Sequence, residues 1–309
     1  MPVSDIVTDK DAAHLLRRVG FGPTTAEIQA LTGLTRQAAV TQVMNFAGAP
    51  PVARPVVDDP ERRNQWDCFV TGLEWWVDRM RTSPTPLQEK MTLFWHNHFC
   101  SSQDKVSDMT AMFDQNQKFR TLGMGDFETL AQAVAIDPAM LVYLDNATNR
   151  VGSEQEKFGR ELMELFTLGV GNFTEADVVA MAKAWTGHNI VGWNGTFTDP
   201  TYVFKPTRHD PSLKTLFGIT QAWDGPQAIT EIVKGSKRPA CARFIATKLL
   251  RFLANANPTV ATIDSVTAQF QPTMRSAVTS PPCDVAAEPA KDAPLEPGAP
   301  RPAGACQAR

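Results

Sequence analysis

Large apolar side chains return every third or fourth residue through most of this chain, the spacing that lines one face of a helix. Ala12, Leu15, Leu16 and Val19 predict a first amphipathic helix beginning near Ser4 or Thr8, stopped by Gly20-Phe21-Gly22-Pro23. Thr24 or Thr25 suits the N-cap of a second helix carrying Ile28, Leu31 and Leu34, and residues 38–46 continue in helical character. Four prolines mark residues 49–60 as a connecting loop. Residues 64–81 gather Trp66, Phe69, Leu73, Trp76, Val77 and Met80 on one broad stripe, and Pro84 and Pro86 break it. Leu87, Met91, Phe94, Trp95 and His98 then fall at i, i+4, i+7, i+8 and i+11, a core-facing seam that ends in a histidine.

Further helices are expected at 108–122 and 126–136, and Asp137-Pro138 suits a helix start because Asp caps free N–H groups and Pro fits the first turn. Residues 145–153 read as loop. Phe158, Leu162, Leu165 and Phe166 form another seam, and Thr174–Asp177 resembles a capping signal before a helix ending at Gly187. The texture changes over 190–218. Asn194-Gly195 favours the positive φ of a hairpin turn, and Tyr202-Val203-Phe204 is a short strand candidate. Helices resume at 226–234 and 239–253. The expected fold is therefore mainly α: a multi-helix globular domain over 1–275 with a small β-hairpin insertion near 190–218.

The end of the chain departs from this pattern. Residues 271–309 hold eight prolines among 39 residues and almost no large apolar side chains. Such a segment buries too little surface to offset its ordering entropy, so a disordered Pro/Ala-rich tail is expected over 276–309.

Composition narrows the class. The chain has 309 residues, 43% of them hydrophobic, and a formal net charge of −3, which speaks against a dedicated nucleic-acid binder. The first 18 residues contain no apolar run of signal-peptide length, and no stretch is long and apolar enough to span a membrane, so a cytoplasmic protein is the expectation, with export open if the N-terminus is incomplete. Cys68, Cys100, Cys241, Cys283 and Cys306 are odd in number and widely spaced, which argues for free thiols over a disulfide framework or a cysteine zinc site.

Three constellations carry candidate chemistry. His96-Asn97-His98 offers two imidazoles as metal ligands, but on a continuous helix residues two apart diverge by roughly 160°. They meet at one metal only if the helix ends near His96; otherwise His98 is a core histidine bonded to backbone. Glu161 and Glu164 share a helix face, the arrangement by which bundles build di-metal or acid/base sites, and the same spacing occurs on any solvated face. Arg160 stands four residues before Glu164 and is placed to pair with it. His209-Asp210, in the β insertion, sits on a loop that suits catalysis or a plain turn. His188, after Thr186-Gly187, reads as a helix-end cap. Glycine-rich nucleotide loops, nucleophile elbows and His-Glu-x-x-His motifs do not occur.

Several long stretches occur together and in order: HLLRRVGFGPT (14–24), KMTLFWHNHF (90–99), DPAMLVYLDNATNR (137–150), FGRELMELFTLGVGNFTEADV (158–178), RHDPSLKTLFG (208–218) and PACARFIATKLLRFL (239–253). In these the chain resembles the bacterial family catalogued as domain of unknown function 1800, over about residues 10–270. The resemblance implies a predominantly helical protein of unestablished activity. It also implies a partner: genes of the family often lie beside those of domain of unknown function 1501, whose members resemble sulfatases and alkaline phosphatases. Two departures stand out. Gln155-Glu156-Lys157 replaces the family's usual Asn-Glu-Asn. The resemblance also stops near Gln271, where the chain reads as truncated or frameshifted, which would leave apolar surface exposed. Two functions follow as expectations. One is a scaffold or accessory protein acting with the phosphatase/sulfatase-like neighbour. The other is a metal-dependent enzyme whose site is built from His96, His98, Glu161, Glu164 and His209, with His96 and His98 as candidate ligands of a divalent transition metal.

Overall fold

The computed structural model describes residues 5–46, 52–53, 65–192 and 200–270. The N-terminal hairpin of helices, α1 (Asp9–Val19), α2 (Thr25–Leu31) and α3 (Arg36–Val43), starts where the sequence caps it. Thr8 and Thr24 each accept from the backbone of the third helical residue, while Asp11 and Glu27 reach back to the cap. Val7, Ala12, Leu16, Leu31 and Ala39 form a small core of their own between these helices.

The main body begins with α4 (Gln65–Thr82) and α5 (Pro86–His98), followed by the short α6 (Gln103–Val106), α7 (Met109–Leu122), α8 (Phe127–Ala135) and α9 (Pro138–Tyr143). Next come α10 (Glu156–Glu161), one π-helical turn at Leu162–Thr167, and α11 (Glu175–Ala184). The chain closes on α12 (Gly225–Lys234), α13 (Arg238–Leu253) and α14 (Val260–Phe270). The predicted seam of α5 is buried as expected: Leu87, Met91, Phe94 and Trp95 face the core. Trp95 lies among Phe99 and Phe127, and its indole N–H donates to the Gly123 carbonyl at 2.6 Å. The same core continues through Met163 and Trp185 to Ile229 and Ile245. No helix among the described residues is long and apolar enough to cross a membrane.

Two features differ from the sequence reading. The β insertion holds two hairpins, not one. Strand β1 (His188–Val191) pairs antiparallel with β2 (Thr201–Phe204), while Trp193–Phe197, with the expected Asn-Gly turn, fall outside the described residues. The second hairpin joins β3 (Lys214–Leu216) to β4 (Ile219–Gln221) across Phe217-Gly218. Both turn residues have positive φ (52° and 82°), the requirement of a two-residue turn that follows sheet twist. Phenylalanine rarely adopts that φ, so the dipeptide gave no turn signal. The other feature is the α10 seam, which does not stay α-helical. From Leu162 the backbone widens, and Leu168 and Gly169 both donate to the Met163 carbonyl.

Candidate functional site

Helix α5 places one candidate histidine on each side of itself. It runs without interruption through His98, so the imidazoles of His96 and His98 diverge as helical geometry requires. His98 is buried. Its Nε2–H donates to the Phe166 carbonyl (2.9 Å), and Lys248 Nζ donates both to His98 Nδ1 (3.2 Å) and to the Leu165 carbonyl (2.8 Å). The widened turn leaves those two carbonyls without helical partners, and a histidine from α5 and a lysine from α13 supply the donors. Burial, then the Lys248 charge, push the His98 pKa down to about 3, so the ring is neutral.

On the opposite side, His96 borders a cavity of about 250 Å³ between α4, α5, α6 and α7. Its ring meets Trp76 edge-on at 4.9 Å, and Trp75 meets Phe113 at 5.1 Å. Phe69, Leu73, Met109 and Met112 complete most of the apolar wall, and Ser101, Ser102, Gln103 and Asn116 bring polar groups. Two of the lining residues also hold a buried atom without a hydrogen-bond partner, the indole nitrogen of Trp76 and Oε1 of Gln103, neither of which is accessible from the cavity. His96 is partly buried, and burial lowers its pKa. The Trp75-Trp76 pair was the missed signal. Adjacent helical residues point about 100° apart, so two neighbouring tryptophans cannot both serve one core face.

Behind this cavity lies a buried ion network that the hydrophobic pattern did not reveal. Arg120 Nε and Nη2 donate to the two Glu89 oxygens, both at 2.8 Å, and Nη2 also donates to Asn116 Oδ1 at 2.8 Å. Arg79 adds a third contact to Glu89 at 3.3 Å. Asp137, the N-cap of α9, is a second buried carboxylate, held by Gln115 and Lys118, and burial raises its pKa.

The remaining candidates lie elsewhere. Glu161 and Glu164 are partly buried on α10 and the π turn, without a hydrogen bond or ion pair to a described residue. Arg160 does not pair with Glu164; it binds Glu175 through both Nη atoms (2.8 and 2.7 Å) and reaches Glu156 at 3.4 Å. His209 Nδ1 donates to the Thr186 carbonyl at 2.9 Å, and Asp210 receives the Ser212 N–H at 2.8 Å. His188 is a strand residue, not a helix cap. It is buried on β1, with Tyr202 hydroxyl 3.0 Å from Nδ1 and Nε2 unpartnered. Burial, then the nearby His209, push its pKa down to about 4. Among the described residues, no three His, Cys, Asp or Glu side chains are grouped to hold a metal ion.

No curated protein and no solved structure matched the chain. One family model does match, Protein of unknown function (DUF1800), over residues 14–280. That span takes in the main helical core, most of the small N-terminal one, the β insertion, the π turn and the cavity, and by it the chain belongs to this family.

Proposed function

We propose that this protein is a helical scaffold or accessory protein, one that acts by binding a phosphatase- or sulfatase-like partner of the kind encoded beside the family's genes. The observation that carries this reading is the dispersal of the candidate chemical groups. His98 spends both ring nitrogens on the π turn and Lys248, His96 faces the α4–α7 cavity, and His209 and Asp210 brace the Thr186 loop. A reacting centre needs such groups within hydrogen-bond reach of one point. Helix α4 adds support. Trp66, Leu73 and Val77 are 71, 49 and 55% exposed on it, an apolar face of the sort a partner covers.

Co-expression with the neighbouring-gene protein tests this. The two proteins are expected to co-elute at one-to-one stoichiometry on size exclusion. A Trp66→Asp/Leu73→Asp/Val77→Asp variant, folded by circular dichroism, is expected to elute alone. Separate elution of the wild-type pair would count against the scaffold reading. So would a stoichiometric transition metal that is lost on His96→Ala, which would move the assignment to the metal-dependent enzyme.

A further inference from the structure

The Gly20-Phe21-Gly22 turn after α1 holds an aromatic ring against α5. A Cβ on Gly20 would lie 3.1 Å from the Leu16 carbonyl oxygen and 3.3 Å from Pro86 Cβ, both tighter than an ordinary contact, so glycine lets the turn sit close on the start of α5. Gly22 then has a φ of 133°, which residues with side chains rarely adopt. Between the two glycines Phe21 stays 39% exposed and covers a lysine. Lys90 Nζ lies 5.0 Å from the centre of the Phe21 ring and 5.3 Å from that of Phe252, near the end of α13. Phe94 packs on Phe252 in turn, with ring centres 5.2 Å apart.

Among the described residues this lysine has no acidic partner. Neither Lys90 nor Arg18 makes a hydrogen bond or ion pair to any of them. Glu89, its neighbour on α5, is buried against Arg120 and Arg79, and Glu27 is taken by the Thr24 cap. Burial, then the positive charge of Arg18, lower the Lys90 pKa, and no carboxylate offsets them. Both cations can be reached from outside: Arg18 is exposed, and Lys90 Nζ, though unpartnered, is not shut off from solvent. Aromatic faces hold an ammonium in place but leave its charge without a counter-ion. Two neighbouring cations beside an open phenylalanine ring therefore suit an occupant with negative charge at one end and an apolar body at the other.

We infer that Lys90, Arg18 and Phe21 form a binding site for a small organic dianion, a phosphomonoester on a flat apolar body. The phosphoryl oxygens accept from Lys90 Nζ and the Arg18 guanidinium, and the apolar body lies against the open part of the Phe21 ring. A phosphomonoester carries about 1.5–2 negative charges near neutral pH and three strong acceptor oxygens, enough for an ammonium and a guanidinium together. None of these residues is on α4 or lines the α4–α7 cavity, so the site does not rest on the partner reading and its test uses no partner protein.

The experiment is calorimetric titration of the full chain at low salt with phenyl phosphate, alongside inorganic phosphate, benzoate and benzyl alcohol. Phenyl phosphate is expected to bind at one saturable site. Inorganic phosphate is expected to bind about two- to tenfold more weakly, the scale of one lost aromatic contact. Benzyl alcohol is expected to bind at least about tenfold more weakly, the scale of lost charge-assisted hydrogen bonds. Benzoate, with a single negative charge, is expected to bind more weakly than phenyl phosphate.

Lys90→Gln and Arg18→Gln, each checked for folding by circular dichroism, are expected to weaken phenyl phosphate binding at least about tenfold. Arg18 is exposed, so its variant tests the site even where Lys90→Gln loosens the packing of Phe21 and Phe252. Phe21→Ala is expected to bring phenyl phosphate down to the affinity of inorganic phosphate while leaving the latter unchanged, a split that a merely structural contact between Lys90 and Phe21 does not produce. No saturable binding of phenyl phosphate would overturn the inference. So would undiminished binding in both glutamine variants, or any of the other three probes binding the wild type as tightly as phenyl phosphate.

Discussion

Arg120→Leu is expected to destabilise the protein by about 3–5 kcal/mol, the cost of stranding a buried charge. Arg120 and Glu89 side chains are 2 and 0% exposed and joined by two parallel hydrogen bonds. Removing the guanidinium leaves the Glu89 carboxylate with Arg79 alone, at 3.3 Å, and strips Asn116 Oδ1 and Gln117 Oε1 of their donor. Against a typical total of about 5–15 kcal/mol this is a large fraction, equivalent to a fall in Tm on the order of 10 °C for a domain of this size. Urea unfolding of the wild type and variant measures it. Glu89→Leu combined with Arg120→Met is expected to recover only part of the loss, because the buried carboxylate is no longer stranded but Arg79 loses its partner. A single Arg120→Leu variant within about 0.5 kcal/mol of wild type would refute the view that this pair holds α5 against α7.

Acid is expected to unfold the protein through its buried histidines before the carboxylates titrate. The folded-state pKa of His98 is about 3 and that of His188 about 4, both below the ordinary histidine value near 6.5. Between those values the unfolded chain binds protons that the folded chain refuses, so stability falls as pH drops from about 6.5 and rises again on return to neutrality. Each histidine contributes a slope on the order of 1.4 kcal/mol per pH unit across its own window. Asp137 acts in the opposite sense, since a carboxyl held above its ordinary value by burial favours the folded state at low pH. His98→Gln keeps an N–H for the Phe166 carbonyl and an acceptor for Lys248 but does not titrate. Unfolding free energies from pH 7 to pH 4.5 are expected to fall less steeply in this variant, with His188 and His96 still contributing. An unchanged slope would mean that His98 is not held neutral.

Much of the architecture was legible in the residue pattern, because helices need only a local periodicity and local caps. Thr8, Thr24, Asp126, Asp137 and Thr174 all cap helices through bonds to residues three positions on. The α5 seam was readable for the same reason, down to the burial of His98. The π turn was not, because its widening is stabilised by donors from α5 and α13, far away in the chain. The β3–β4 hairpin escaped because its turn uses Phe217 at positive φ, against the residue's own preference.

The candidate site divides along the same line. The identity of the chemical groups, the helical class of the fold and the membership of the DUF1800 family were all contained in short-range order along the chain. Which of those groups meet was not. Glu89 looks like any helical glutamate until Arg120, 31 residues on, buries against it. Trp76 and Gln103 carry no local mark of a cavity until tertiary packing brings α4, α5, α6 and α7 around it. Local propensity acts over a few residues. The partner of a buried charge or the lining of a cavity depends on distant segments brought together, and only the tertiary structure decides that.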